Sequence, residues 1–232
     1  MIKFSIPNSF LYRYFIKCYD SKKKESQIMP SDGNKTRMLI IKNAIELFKE
    51  KGYQNVSVQD ICDRSNIKRA SFYYHFKTKE SIIDSYYDNL ELSQTYYSKL
   101  ITSTNCWLKL WLLTLPSIHW TIDMGAELLS VVFMLNFQNG GTTFFPLQEA
   151  SQKELIIEII KKGQETGQFK NSKNPVDLYH NMRNSIIGIA AVWCMKNGSF
   201  NEEEEIHQTL VTLFQPDESL ISEAVEYAKS VI

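Results

Sequence analysis

From Lys35 to the C-terminus, apolar residues recur at helical spacing, and no alternating run of strand length stands out. That pattern predicts an all-α fold. Ile40, Ala44, Leu47 and Phe48 stand at i, i+4, i+7 and i+8, one apolar stripe of a first helix. Gly52 comes after Lys49, Glu50 and Lys51, as a left-handed cap follows a basic last turn. Ser57 is a good N-cap for a short second helix, with Asp60 three residues on as the capping-box carboxylate. Val58, Ile61 and Cys62 give that helix its inner face. Ser65 and Asn66 make the next turn, since Asn tolerates the left-handed conformation. Residues 68–76 then form a third helix. Further helices are expected at 79–100, 105–122, 124–137, 147–166, 175–196, 201–214 and 216–231. Gly140-Gly141 with Pro146, Gly167, Asn174-Pro175, Asn197-Gly198 and Gln215-Pro216 separate them. Pro116 should kink or break the helix it falls in. Glu202–Glu205 sit at a helix start, where the macrodipole favours acids, and read as a solvated first turn.

Net charge is zero, but it is unevenly spread. Residues 1–81 hold 16 Lys and Arg against 8 Asp and Glu, and residues 82–232 hold 10 against 18. A basic part joined to an acidic part suggests a polyanion-facing region with a partner region for another task. The basic part contains "NIKRASFYYHFKTKE", residues 66–80, with Lys68 and Arg69 before a row of aromatics and Lys77 and Lys79 after it. Phe72 and Phe76 are four apart and share the inner face of the third helix with Ile67. Ala70, Tyr73, Tyr74 and Lys77 then point outward. Lys68 and Arg69 at one helix start and Lys79 at the next, capped by Thr78, oppose the helix dipole at about 0.3–1 kcal/mol each. Charge placed against folding points to a polyanion, and DNA phosphates are bound by helix N-termini and by Lys and Arg. Three helices with a short turn before the last have the spacing of a helix-turn-helix.

Ala44, Leu47-Phe48, Gly52-Tyr53, Ser57-Val58, Asp60-Ile61, Ile67 and above all "SFYYHFKTKE" (71–80) resemble the TetR (tetracycline-repressor-like) family of bacterial transcriptional regulators. "GQETGQF" (163–169) and "IIGIAAVWCMKNGSF" (186–200) resemble, more loosely, late helix ends of that family. The resemblance implies an N-terminal three-helix DNA-binding domain at 35–81 and a larger helical bundle at 82–232 for ligand binding and dimerisation. It implies a cytoplasmic homodimer that reads a palindromic operator in double-stranded DNA, usually as a repressor. Tyr73 and Lys79 match phosphate-contacting positions, and Lys68, Arg69, Ala70, Ser71, Tyr74 and His75 match positions facing bases or backbone. Ser57 and Lys77 complete the expected DNA-facing set. Lys68 replaces the family's common Ser or Thr cap, a loss of about 1 kcal/mol of helix stability, and Ala70 replaces a common Gly. Lys68 and Arg69 could instead read guanine through O6 and N7, or meet phosphate.

The family dimerises through its last long helices, here 175–196 and 201–214, which assigns Ile186, Ile189, Ala190, Trp193, Leu210 and Leu213 to the interface. Residues 186–192 are apolar on more than one face, as a helix serving both core and partner would be. Aromatics gather from Trp107 onward, and the resemblance turns Trp107, Trp111, His119, Trp120, Phe133 and Phe137, with Tyr179 and Arg183 from across the bundle, into candidate ligand contacts. The same aromatics suit a plain core. With so few charges there, the expected effector is small and apolar or aromatic. Two other readings stay open: a DNA-binding regulator controlled by a partner protein, and a helical adaptor without sequence-specific DNA binding.

Several classes are disfavoured. No H-E-x-x-H, G-x-S-x-G, P-loop or G-x-G-x-x-G occurs, so an enzyme is not expected, and neither cofactor nor metal is. Cys18, Cys62, Cys106 and Cys194 lie far apart and read as reduced thiols, mostly small core hydrophobes. The most apolar run, 107–120, is too short for a membrane span and contains Lys109 and Pro116. Residues 1–34 form an extension whose Arg13 and Lys17 do not suit a signal peptide; the native start could be Met29.

Overall fold

The computed structural model describes residues 32–87, 100, 102–138 and 150–231. The extension up to residue 31 with its alternative start, residues 88–99 of the helix expected at 79–100, the Gly140-Gly141 and Pro146 break and the first residues of the helix expected at 147 lie outside the described residues. The chain is all-α. Helix α1 (Asp32–Lys51) leads through a short 3-10 turn (Tyr53–Asn55) to α2 (Val58–Ser65), α3 (Arg69–His75) and α4 (Glu80–Tyr87). The long α5 (Cys106–Gln138) is followed by α6 (Ala150–Glu165), α7 (Pro175–Met195), α8 (Glu202–Phe214) and α9 (Glu218–Val231).

Local chemistry explains most boundaries. Ser57 caps α2 with a full capping box: its side chain accepts from the Asp60 N–H at 3.1 Å, and its own N–H donates to Asp60 Oδ2 at 2.8 Å. Asn66 ends α2 in the left-handed region, φ 51° and ψ 48°, and the Ile67 N–H returns to the Cys62 carbonyl at 3.0 Å. Asn174 caps α7 with Pro175 in its first turn, and Asn201 caps α8. Gly52 has the positive φ expected of it, 78°, but its ψ of 140° lies outside the left-handed helical well.

The break expected between the helices 105–122 and 124–137 is found at Gly125, whereas the one expected at Pro116 is not found. Pro116 lies inside α5 without ending it, and the one residue there with non-helical dihedrals is Gly125, at φ 77° and ψ 157°. Proline removes a backbone donor, but hydroxyls serve carbonyls of the neighbouring turns: Thr114 Oγ1 donates to the Leu110 carbonyl at 2.8 Å and Ser117 Oγ to the Thr114 carbonyl at 2.7 Å. Gly125 occupies a region that only glycine takes readily. Because it runs through Pro116, α5 is also long and apolar enough, by length and composition, to cross a membrane, contrary to the reading of 107–120 as too short. In this fold it is the central helix: Leu108, Leu110, Leu112 and Leu115 are fully buried by the helices around it.

Two hydrophobic cores share α5. The first half of α5 packs with α6, α7, α8 and α9 around Trp107, Leu108, Ile156, Met182, Leu210 and Phe214. Its second half, from Trp120 to Phe133, joins the core of α1 to α4 around Ile40, Phe48, Ile61, Phe72 and Ile82. Cys62, Cys106 and Cys194 are free thiols buried in these cores, as expected; Cys18 lies outside the described residues. Burial also holds each of the three thiols above its ordinary pKa.

Candidate nucleic-acid interface

Helix α3 is seven residues long, too short to persist alone, so packing must hold it. Phe72 and Phe76 provide that packing: both are buried, with ring centroids 6.1 Å apart. The Arg37 guanidinium lies 5.2 Å from the Phe76 ring centre and donates to Ser85 Oγ at 2.6 Å, linking α1 to α4 across the end of α3. The opposite face is open. Lys68, Arg69, Ala70, Tyr73, Tyr74 and Lys77 are all exposed, Tyr74 at 83%, which leaves a large aromatic side chain in water. Tyr74 meets His75 edge-on at 4.9 Å. Ser71 and His75 are half-buried at the margin. Lys68 stands at the N-cap with no side-chain cap bond, as the missing Ser or Thr implied.

Two of the expected contacts are engaged within the protein. The Lys79 ammonium donates to the Tyr53 carbonyl at 2.9 Å and the Val56 carbonyl at 3.1 Å, and lies 4.1 Å from the Tyr53 ring centre. It therefore bolts the start of α4 to the turn before α2. Tyr53 completes the joint by donating its hydroxyl to Glu80 Oε1 at 2.7 Å. Ser57 is exposed, but its hydroxyl is held against the Asp60 carboxylate. That hydrogen bond, with the backbone donors beside it, keeps Asp60 below the ordinary carboxylate range.

The residues expected at a ligand site divide between the two cores. Trp107, Trp111 and Tyr179 are buried together in the bundle, while Trp120 and Phe133 are buried in the core shared with α1 to α4. His119 is partly exposed, with Nε2 3.5 Å from Glu203 Oε2. Phe137 is 81% exposed and Arg183 half-buried. One residue outside the expected set joins the first group: the His207 ring stands edge-on to Trp107 at 5.5 Å and to Trp111 at 4.9 Å. Among the described residues, Trp107 Nε1 and His207 Nε2 are buried with no hydrogen-bond partner, and burial depresses the His207 pKa. Its position three residues before the buried Leu210 was the one sequence signal.

The expected dimer contacts are mostly turned inward. Ile186, Ala190, Trp193 and Leu210 are buried in the chain's own cores, and Trp193 Nε1 donates to the Phe200 carbonyl at 3.0 Å. Ile189 and Leu213 are half-buried. The outer stripe of α7 runs instead through Asp177, Asn181, Asn184, Gly188, Val192 and Met195, all exposed. Glu202, expected in a solvated first turn, is 2% exposed, whereas Glu204 and Glu205 do face solvent.

Known proteins share this arrangement. A family model described as "Bacterial regulatory proteins, tetR family" matches residues 40–86, which run from α1 into α4. The biofilm operon icaADBC HTH-type negative transcriptional regulator IcaR of Staphylococcus aureus (strain Newman) is 56% identical over 45 residues, 19% of this chain and 24% of that protein. The chain thus spans about a quarter of the length of the curated relative it matches. Among solved structures, SmeT, the repressor of the Stenotrophomonas maltophilia multidrug efflux pump SmeDEF, superposes with a TM-score of 0.55 at 14% identity, covering 82% of this chain and 95% of that one. Thermus thermophilus FadR, a TetR family transcriptional repressor solved with lauroyl-CoA, does so with a TM-score of 0.53 at 17% identity, covering 76% and 92%. At such identities the structures speak for the fold alone. Residues 40–86 thus carry the helix-turn-helix segment described by the model of the tetR family of bacterial regulatory proteins, and the described chain shares its all-α fold with the solved repressors.

Proposed function

We propose that this chain is a dimeric transcriptional repressor, cytoplasmic, that reads a palindromic operator and is released from it by a small apolar or aromatic effector. The observation that carries the reading is the split character of α3. Its inner face is anchored by Phe72 and Phe76, and its outer face offers Arg69, Tyr73, Tyr74 and Lys77 with Lys68 at its start. A rigid short helix with an exposed basic and aromatic face suits the major groove. In this reading residues 35–81 bind DNA and 82–232 dimerise and sense. Arg69 and Lys68 read guanine edges; Ala70, Ser71, Tyr74 and His75 lie against bases or backbone; Ser57, Tyr73, Lys77 and Lys79 meet phosphates. The partner subunit packs on the outer stripe of α7, where Gly188 permits close approach and Val192 and Met195 supply apolar surface. The effector is sensed at the Trp107, Trp111 and His207 group, whose unpartnered nitrogens suit one polar atom on an otherwise aromatic molecule.

Selection of random duplex DNA on the purified protein, at two salt concentrations, tests this reading. Enrichment of an inverted repeat is expected. Steeply salt-dependent binding with no motif would leave only electrostatic attraction and favour the adaptor reading.

Lys79 gives a narrower test. Its replacement by alanine should weaken binding to all sequences alike and lower the salt slope by about one unit. It should also lower the unfolding midpoint, since each lost hydrogen bond contributes about 0.5–1.5 kcal/mol. A changed sequence preference in the variant would contradict the phosphate role, and an unchanged unfolding midpoint the anchoring one.

A further inference from the structure

Glu202 is a carboxyl group in an unusual setting. It opens α8, is 2% exposed, and has one oxygen, Oε1, buried without a partner among the described residues. Its other oxygen meets Thr121 Oγ1 at 2.8 Å, and Thr121 Oγ1 also lies 2.7 Å from the Ile118 carbonyl. A hydroxyl carries one proton, while a carbonyl and a carboxylate can only accept. One proton can serve both acceptors only as a shared, weaker three-centre bond; two full hydrogen bonds need a second proton, and Glu202 is the group able to bring it. As a neutral acid it donates from Oε2 to Thr121 Oγ1, and Thr121 donates to Ile118. A neutral acid also makes the unpartnered Oε1 far less costly than a buried carboxylate oxygen would be.

Among the described residues, the other titratable groups around it do not supply a compensating positive charge. From α7 it faces the buried Cys194 thiol. From α5 comes His119, which is turned to Glu203. Its own helix adds Glu203, Glu204 and Glu205. Burial raises the Glu202 pKa to about 7, with the Thr121 contact opposing the rise.

The position matters as much as the proton. Thr121 lies one turn before the Gly125 break in α5. Between them, Asp123 Oδ2 accepts from Lys49 Nζ of α1 at 3.0 Å and from the Tyr86 hydroxyl of α4 at 2.6 Å. We propose that Glu202 is a proton-operated latch, which as the neutral acid ties the start of α8 through Thr121 to the α5 turn that carries Asp123, and which on ionising releases that turn and loosens the seating of α1 and α4. The inference does not depend on what α3 binds.

The sign follows from linkage. The folded pKa is raised above the ordinary 4.5, so the latch's contribution is complete below that value and is lost as pH rises to about 7. Two measurements on the full chain test it. Infrared titration should show a buried protonated carboxyl band that disappears through neutrality and is missing from Glu202→Gln. Hydrogen exchange of the segment 118–126, corrected for the intrinsic pH dependence of exchange, should rise several-fold between about pH 6 and about pH 8 in the parent chain. In Glu202→Gln, whose amide can donate to Thr121 from the same place, it should stay flat. Thr121→Val should exchange fast at every pH while keeping the carboxyl band. Absence of the band in the parent chain, or an undiminished pH-dependent rise in Glu202→Gln, would overturn the latch; the parent-chain titration decides even if the variants fold poorly.

Discussion

Replacing Phe72 by alanine should lower folding stability by about 3–5 kcal/mol and abolish DNA binding together. Phe72 is fully buried and is the deepest anchor of a seven-residue helix. Phe76 follows it at the C-cap, and Ile67 is only half-buried. Truncation opens a cavity among residues of α1, α2 and α4, which cannot close without moving the turn at Asn66. The loss is a large share of the 5–15 kcal/mol typical of whole domains. Urea unfolding reads the stability, and binding to a selected operator reads the function. Tyr74→Ala is the control: at 83% exposure it should change stability by no more than about 0.5 kcal/mol. A Phe72 variant as stable as the Tyr74 variant would mean that α3 is held by something other than its buried face.

Arg69→Ala should cost about 1–3 kcal/mol of binding, roughly 5- to 150-fold, and the loss should fall on one base pair of each half-site. Arg69 is exposed at the first turn of α3, where a helix entering the major groove brings its N-terminal side chains to the base edges. Its fork can take guanine O6 and N7 together, which a lysine cannot match. Repeating the DNA selection with the variant gives the answer: the motif should survive with one position per half-site relaxed. Equal weakening against every sequence would place the guanidinium on phosphate. Lys77→Ala supplies that pattern for comparison, weaker binding with an unchanged motif.

The helix-turn-helix was readable from local chemistry. The Ile40 to Phe48 stripe, the Ser57 and Asp60 box and the left-handed Asn66 each depend on residues a few positions apart, and each stands where the spacing put it. What failed to show depends on distant partners. An all-round apolar helix does not say which face meets its own chain, so Ile186, Ala190 and Trp193 were assigned to a partner while they fill the chain's own cores. The aromatic residues from Trp107 to Phe137 looked like one group, but α5 turns them into two cores. Glu202 resembled its solvated neighbours until Thr121, 81 residues away, met it. The Lys79 ammonium looked free because nothing near it in sequence reveals the carbonyls of Tyr53 and Val56.

The sharing of α5 between two cores also limits how the chain can change over time. A helix advances by about 100° per residue, so adding or deleting one residue between Leu115 and Trp120 would swing the apolar face of one core about a third of a turn against the other. Substitutions there can be absorbed one side chain at a time, but a change of length cannot. The turns at Gly167 and Gln215 are constrained differently, by each other: Phe169 and Pro216 bridge them, and the Lys170 N–H donates to the Gln215 carbonyl at 3.4 Å. Changes of length should therefore be excluded from α5, which must keep its register to serve both cores.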